Sequence, residues 1–258
     1  RGGRAVVLSR DAGTPAAVAA VLTETGRGAS EVTVLENLGG PGERVRTRPA
    51  DAWAATRAEV DDLNILAIRY LPDSRDSTVL PDEAFIHDGQ ITKQTIRAVT
   101  LAALAPRPGE LLWDVGSGSG SIAIQWCRAA HGCRTVAFES DPGRRETITV
   151  NARNLGVEVE VRGHAPGDFD GARTPDAVFI GGGLTHDGLL QACLDRLPAG
   201  GRLVANAVTA ESEALLVQWY SRMGGELRRF QHYRGEPLGG FTGWRPQMPI
   251  TQWTVTTL

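Results

Sequence analysis

The stretch WDVGSGSGS, residues 113–121, places a glycine at every second position directly after an apolar run. Residues 110–115 have the continuous apolar character of a buried strand, and residues 121–130 have the periodicity of a helix. A glycine turn between a strand and a helix lets a ligand approach the backbone and the unpaired N–H groups of the helix start. The stretch therefore predicts a nucleotide-type ligand at the carboxyl end of a parallel strand.

Strands and helices alternate on both sides of this turn, which predicts a mostly parallel sheet covered by helices on both faces. The last two apolar runs, residues 227–232 and 251–258, have no helix between them and predict an antiparallel pair at the sheet edge. The segment that joins them is rich in Gly, Pro and Trp and is assigned no regular structure. Further strands are predicted at residues 134–139, 157–161, 176–180 and 201–207, and helices at 91–105, 142–155, 189–197 and 211–223.

Residues 4–70 predict a separate, small α/β unit. It combines the strand-like runs RAVVL, EVTVLE and LNILAI with a helix that opens at Thr14, a GGPGE turn and a short helix around residues 50–58. Residues 71–83, LPDSRDSTVLPDE, carry two prolines and no periodicity, which is typical of a linker. The predicted domains are therefore residues 1–76 and 77–258.

Composition and charge exclude several classes of partner. The net charge is −3 and no block of five like charges occurs, which argues against a nucleic-acid-binding surface. No apolar run approaches the roughly 18 residues of a membrane helix, and the start RGGRAVVLSR lacks the apolar core of a signal peptide. Three cysteines without a CxxC pair, and histidines without HExxH spacing, predict reduced thiols and no metal site. We therefore expect a cytoplasmic protein, cut from something longer, that binds neither nucleic acid nor membranes.

Residues around the glycine turn discriminate between nucleotide ligands. The dinucleotide fingerprint requires a glycine five positions after Gly116, where this chain has Ser121, and the sequence contains no phosphate-binding Gly-Lys-Ser/Thr. Glu139 lies 23 positions after Gly116, at the end of the next strand, where a carboxylate can accept hydrogen bonds from both hydroxyls of a ribose. This combination favours a nucleoside with an amino acid tail, S-adenosylmethionine. Asp114 has two open interpretations, a cap of the turn and a ligand contact.

Five segments together resemble one family. They are LPDEAFIHDGQITKQTIRA (residues 80–98), WDVGSGSGSIAIQW, GDFDG, DAVFIGGG and LVANAVT, and they resemble the class I methyltransferases that act on precorrin-6B in cobalamin biosynthesis. The resemblance spans residues 80–258. It implies a Rossmann-like, mostly parallel seven-stranded sheet, S-adenosylmethionine as methyl donor, and a tetrapyrrole substrate that is methylated at carbon 15 and loses carbon dioxide from an acetate side chain. It also implies a homotetramer.

The preceding unit resembles part of another family. Residues 4–73, with LSRDAGTPAAVA and VLENLGGPGE, resemble the second half of the tetrapyrrole methylase domain that methylates carbon 5. The first half of that domain is missing from this sequence. In that family S-adenosylmethionine lies between the two halves, so the resemblance implies a small partial α/β unit without carbon 5 activity.

The resemblance also implies roles for individual residues. Thr92 would bond the methionine carboxylate, Glu139 would hold the ribose, and His164 and Ala165 would border the adenine. His164 departs from the small or acidic residue expected there, and Pro166 removes a backbone donor. The methionine and ribose would be lined by Gly116, Ser117, Gly118, Ser119 and Gly120; the macrocycle would lie near Gly181, Gly182, Gly183 and Asn206; and its carboxylates could meet Lys93, Arg97, Arg144, Arg145, Arg234 or Arg245.

Catalysis of this kind requires little from side chains, because the methyl group on a sulfonium is already activated and alignment supplies much of the rate. No catalytic residue is assigned on this basis. Three alternatives stay open: a methyltransferase for RNA or protein, a dehydrogenase, and a scaffold that binds the nucleoside without turnover. The sequence FIGGG, where enzymes that methylate amines carry Asn/Asp-Pro-Pro-Tyr, disfavours the first alternative, and Ser121 disfavours the second.

Overall fold

The computed structural model describes residues 3–56, 59–70 and 79–258. The chain divides into two compact units, Arg1–Ser77 and Thr78–Leu258, which we call the N-terminal and C-terminal units. Each unit has a hydrophobic core of its own. Much of the predicted linker, residues 71–78, lies outside the described residues, as do residues 57 and 58 of the predicted short helix.

The N-terminal unit is a four-stranded sheet with two helices, in the strand order β1-β4-β2-β3 and with every pair antiparallel. Its apolar core gathers side chains from both helices and three strands, with Trp53 and Leu66 almost wholly buried. The elements are β1 (Arg4–Leu8), α1 (Thr14–Glu24), β2 (Glu31–Glu36), β3 (Arg44–Pro49), α2 (Ala50–Ala55) and β4 (Asn64–Arg69).

Strand β3, with the sequence RVRTRP, is not predicted from the sequence, because its arginines hide the strand pattern. The buried carboxylate of Glu36 explains the pairing of β2 with β3. It accepts hydrogen bonds from Arg44 at 2.8 Å, from Arg46 at 2.7 Å and from the Asp61 N–H at 2.9 Å. Burial acts to raise the pKa of Glu36, but these three donors hold it below its ordinary value.

The C-terminal unit contains a seven-stranded sheet in the order β10-β13-β9-β8-β5-β6-β7. The five strands from β9 to β7 are parallel, and β13 runs antiparallel to both of its neighbours. The predicted mostly parallel sheet of seven strands is confirmed. The elements are α3 (Gln94–Leu104), β5 (Leu111–Val115), α4 (Ser121–Ala129), β6 (Arg134–Phe138), α5 (Pro142–Asn154), β7 (Glu160–Arg162), β8 (Ala177–Ile180), α6 (Leu189–Asp195), β9 (Arg202–Ala207), α7 (Ala210–Met223), β10 (Glu226–Phe230), β11 (Tyr233–Leu238), β12 (Phe241–Pro246) and β13 (Ile250–Thr256).

The end of the chain differs from its prediction in two ways. The last two apolar runs do pair antiparallel, but β13 lies between β10 and β9, so the final strand is internal to the sheet. The segment between them, assigned no structure from the sequence, forms the hairpin β11–β12 around a Gly239-Gly240 turn. Glycine and proline inside YRGEPL and FTGWRP obscured the strand signal.

The central strand β5 is buried along its whole length and positions the glycine turn. Trp113 packs its ring against Phe138 and Phe169, with ring centroids 5.0 and 4.7 Å apart. The carboxyl ends of β5, β6, β8 and β9 meet at one edge of the sheet, which we call the carboxyl edge. Because β10 and β13 join the hairpin at this same edge, the hairpin and the loops after β5, β6, β8 and β9 all start from it.

Candidate functional site

Residues 116–120, which we call the glycine loop, lead from β5 into α4. Gly116, Gly118 and Gly120 have φ angles of +69°, +59° and +76°, which side chains other than glycine rarely adopt. A Cβ at Gly116 would lie 2.7 Å from the backbone of Gly182, and one at Gly120 would lie 3.0 Å from Ile148 Cγ2. A Cβ at Gly118 would have no atom within 4 Å. Close packing therefore requires glycine at positions 116 and 120, whereas Gly118 faces open space.

Asp114 caps the turn that it precedes. Its Oδ2 accepts hydrogen bonds from Ser117 Oγ at 2.7 Å and from the Ala123 N–H at 3.0 Å, in the first turn of α4. Burial raises the pKa of Asp114 to about 6, and the nearby charge of Glu139 acts in the same direction. Of its two interpretations from the sequence, the geometry supports the cap.

Glu139 follows β6 and lies directly against the glycine loop. Its Oε2 accepts a hydrogen bond from the Gly118 N–H at 2.8 Å, and its Oε1 accepts one from the Asp141 N–H at 3.0 Å. Arg145 donates to the carbonyl oxygens of Glu139 and Ser140, at 2.9 and 2.7 Å, and so fixes this turn. The structure therefore brings together two predicted parts of the site, the glycine loop and the acidic residue 23 positions downstream.

Residues 80–94, which we call the strap, lead into α3. The helix was predicted to begin at Ile91 but begins at Gln94, because the Arg97 side chain folds back and donates to the Thr92 carbonyl at 2.5 Å. The Asp82 carboxylate accepts from the Gln94 N–H at 2.9 Å, which satisfies a free donor at the helix start. Thr92 thus stands in an extended turn ahead of α3.

Arg97 does not reach the surface to bind a substrate. Its guanidinium is wholly buried, donates to Asp82 Oδ1 at 2.7 Å and to the Leu80 carbonyl at 2.5 Å, and lies 4.9 Å from the Phe85 ring centre. Arg97 is therefore not available to bind substrate carboxylates. It stabilises the strap instead.

The residues expected near the adenine follow β7, next to Glu139 on the carboxyl edge. The Glu139 N–H donates to the carbonyl of Arg162, the last residue of β7, at 3.2 Å. His164 is exposed, with its ring 5.1 Å from that of His186, and Ala165 is half-buried before a cis peptide bond to Pro166.

The triple glycine after β8 contributes to the wall of the glycine loop. Gly182 meets Gly116 backbone to backbone, and Gly181 lies so close to the Phe179 ring that a Cβ there would be 2.7 Å from it. Gly181 and Gly183 are exposed at the carboxyl edge. The glycines therefore leave space beside the loop where side chains would otherwise stand.

Asn206, a candidate for substrate contact, is buried at the end of β9. Its Nδ2 donates to Thr100 Oγ1 at 3.0 Å and its Oδ1 accepts from Gln252 Nε2 at 2.9 Å. Both ends of the amide are therefore engaged in a network that joins β9 to α3 and β13.

The remaining candidate cations differ in how far they are neutralised. Arg144 pairs with Asp88 at 2.7 Å, and Lys93 lies 3.8 Å from Asp82. Arg234 and Arg245 stand directly opposite each other on the β11–β12 hairpin. Arg245 pairs with Glu236 at 3.0 Å, whereas no ion pair of Arg234 is found in the described part of the chain.

Asp82 and Asn151 are buried or nearly buried polar residues that the sequence analysis missed. Asn151 lies within α5, although asparagine has a poor helix propensity. That mismatch is the one signal in the sequence that could have indicated a structural role for its side chain. Across residues 3–56, 59–70 and 79–258, no group of three His, Cys, Asp or Glu side chains could hold a metal ion. None of the helices described there is long and apolar enough to cross a membrane.

Comparison with known proteins shows the family to which this arrangement belongs. A family model described as a precorrin methyltransferase domain matches residues 83–257. The chain belongs to the precorrin methyltransferase family. That match covers the strap from residue 83 onward, the glycine loop, Glu139 and the whole seven-stranded sheet.

Named relatives match nearly all of this chain or about two thirds of it. The chain is 65% identical over 257 residues to a precorrin-6Y C(5,15)-methyltransferase [decarboxylating] of Mycobacterium tuberculosis, covering 99% of this chain and 66% of that protein. It thus spans about two thirds of the length of that relative. It is 32% identical over 180 residues to a probable cobalt-precorrin-6B C(15)-methyltransferase (decarboxylating) of Pyrobaculum aerophilum, covering 66% of this chain and 92% of that protein.

Solved structures agree with these relatives. The C-terminal domain of precorrin-6Y C5,15-methyltransferase from Rhodobacter capsulatus matches with a TM-score of 0.66 and 46% identity, covering 70% of this chain and 99% of that chain. A SAM-dependent O-methyltransferase from Thermotoga maritima matches with a TM-score of 0.57 and 13% identity, covering 92% and 97%, which shows the fold alone. The C-terminal unit has the class I methyltransferase fold.

Proposed function

We propose that this chain transfers the methyl group of S-adenosylmethionine to carbon 15 of precorrin-6B and releases the ring C acetate side chain's carboxyl group as carbon dioxide, in cobalamin biosynthesis. The observation that carries the proposal is the glycine loop, held between Glu139 on one side and the Gly182 backbone on the other. The names of the relatives that match the C-terminal unit supply the substrate class.

The residues around the glycine loop fit a nucleoside with an amino acid tail. Gly118 faces open space, and Ser119 Oγ is buried without a partner among the described residues, so a polar ligand group would satisfy it. Glu139 would accept hydrogen bonds from the ribose hydroxyls, while Thr92 would hold the methionine carboxylate. His164 and Ala165 would border the adenine. When bound, the cofactor supplies a methyl group that is already activated on its sulfonium.

The substrate is proposed to lie over the triple glycine of Gly181–Gly183. This loop follows β8, the neighbour of β5 on the side away from Glu139, and carries no side chain that would block a flat macrocycle. Holding the nucleophilic carbon in line with the sulfur–methyl bond at about 3 to 3.5 Å supplies much of the rate. No side chain has to act as a strong base, and the ring system takes up the electron pair released by decarboxylation.

The hairpin β11–β12 is proposed to meet the substrate carboxylates. It leaves the carboxyl edge between β10 and β13, about 12 Å from β8, or two and a half strand spacings of about 4.8 Å. Like charges directly opposite on a hairpin are destabilising, so Arg234 and Arg245 favour an anion between them. Arg245 is already paired with Glu236, which leaves Arg234 as the hairpin cation without an ion pair in the described part of the chain. The remaining candidate cations are buried, paired with carboxylates, or bound to backbone carbonyls.

A homotetramer in the cytoplasm is also proposed. The tip of the hairpin exposes Leu238 and Phe241 to 69% and 83%, and Trp244 on its other face to 76%. An isolated two-stranded ribbon is marginal in water, so contact with a further copy would stabilise it. Light scattering on the purified chain would measure the number of copies.

The function is tested by incubating the chain with precorrin-6B and methyl-labelled S-adenosylmethionine. We expect one labelled methyl group at carbon 15 for each carbon dioxide released, and no label at carbon 5, because the N-terminal unit resembles only half of a tetrapyrrole methylase. Glu139→Ala should weaken S-adenosylmethionine binding by about 1 to 3 kcal/mol, and the exposed Glu146→Ala on α5 is its matched control. Cofactor binding without product would favour the scaffold, and transfer to RNA or protein would favour the other methyltransferases.

A further inference from the structure

Asn151 connects two segments of the site that are far apart in the sequence. Its Nδ2 donates to the carbonyl of Ser119, in the glycine loop, at 2.9 Å and to the carbonyl of Ile86, in the strap, also at 2.9 Å. Its Oδ1 accepts from the Ile86 N–H at 2.8 Å. The side chain is 1% exposed, and none of these contacts serves the backbone of α5, to which it belongs.

The strap depends on such contacts because it has almost no regular structure of its own. A short 3-10 helix, Asp82–Ala84, is its one assigned element. Arg97 binds both ends of the strap through Leu80 and Thr92, and Arg144 pairs with Asp88 on its outer side. These contacts shape the strap but do not reach the glycine loop. Asn151 binds both.

We propose that Asn151 is a positioning residue for the amino acid tail of the cofactor, an inference that rests on the function proposed above. One amide holds Ile86 and Ser119 together, and this sets the distance between Thr92 and the glycine loop, the two groups proposed to hold the tail. An apolar replacement would leave the buried backbone groups of Ile86 and Ser119 without partners and would release the strap. The adenosine half of the ligand depends less on this link, because Glu139 contacts the Gly118 N–H and neither Asn151 nor the strap.

The test compares two ligands in calorimetry with the full chain. S-adenosylhomocysteine carries the tail, whereas 5′-methylthioadenosine keeps the nucleoside and the sulfur but lacks the tail. Asn151→Ala is expected to weaken S-adenosylhomocysteine at least tenfold and to change the affinity for 5′-methylthioadenosine less than twofold. Asn154→Ala, an exposed asparagine on the same helix, should change neither affinity. An equal loss for both ligands, or no loss for either, would overturn the positioning role.

A second variant covers the case in which Asn151→Ala does not fold. Asp82→Asn keeps an oxygen acceptor for Gln94 and Arg97 but removes the charge that holds the strap end. It should weaken S-adenosylhomocysteine about threefold and leave 5′-methylthioadenosine unchanged, and a parallel change for both ligands would refute the inference. If wild-type protein binds neither ligand, the proposed function itself fails, which is a separate outcome.

Discussion

At the scale of single residues, the carboxyl group of Asp114 links the stability of the glycine turn to pH. Burial raises its pKa from 3.8 to about 6, so between these values it is protonated in the folded chain and ionised in the unfolded chain. The unfolded chain therefore binds fewer protons in this window, and the stability that Asp114 contributes falls as pH rises through it. Above about pH 6 the contribution of Asp114 to the free energy of unfolding no longer changes with pH.

Asp114→Asn should remove this dependence. The free energy of unfolding of the variant, relative to wild type, is expected to rise by up to about 3 kcal/mol between pH 4 and pH 7. Urea unfolding at a series of pH values measures the difference. A constant difference across the range would show that the carboxyl group titrates with an ordinary pKa.

Replacing Gly116 or Gly118 by alanine should impair the protein for a different reason in each case. In Gly116→Ala the new Cβ would lie 2.7 Å from the Gly182 backbone, which has to move, so we expect thermal stability and cofactor binding to fall together. In Gly118→Ala the Cβ enters open space, so only the conformational cost of roughly 1 to 2 kcal/mol applies to folding, while cofactor binding is lost. Melting curves with and without S-adenosylhomocysteine separate the two, and a matching pattern for both would contradict this distinction.

At the scale of elements, the hairpin β11–β12 is expected to serve the substrate and not the cofactor. Arg234→Gln should raise KM for the tetrapyrrole about tenfold, because a cation opposite Arg245 is lost, and should leave the Kd of S-adenosylhomocysteine unchanged. Arg222→Gln, on α7 at the opposite end of the sheet, is the control. An unchanged KM would exclude the hairpin from substrate binding, and a changed oligomeric state would assign it to subunit contact.

The start of α3 shows the same dependence on contacts between elements. Periodicity predicted helix from Ile91, but Arg97 and Asp82 hold the residues before Gln94 in an extended turn. Local propensity could not reveal this, since the deciding side chains lie up to 15 positions apart. The late helix start leaves Thr92 ahead of α3, where it is proposed to hold the methionine carboxylate.

At the scale of the whole molecule, the C-terminal unit should function alone. Its core is built from its own strands and helices, and the precorrin methyltransferase family model matches residues 83–257, within this unit. A chain of residues 79–258 is expected to unfold cooperatively and to bind S-adenosylhomocysteine with the same Kd as the full chain. A tenfold weaker Kd would show that the N-terminal unit contributes to the site.

The strand and helix alternation, the glycine loop, the acidic residue 139 after β6 and the family could be predicted from the sequence, because each depends on spacing along a short stretch or on a motif. Only the tertiary structure shows that β13 lies inside the sheet, that the arginines of β3 bind the buried carboxylate of Glu36, and that residues 233–246 form a hairpin. It also assigned Arg97 and Asn206 to buried networks and brought Asn151 between the strap and the glycine loop. The physical reason is common to all of these: a buried polar group takes whichever partner the fold brings within about 3 Å, and sequence spacing does not encode that partner.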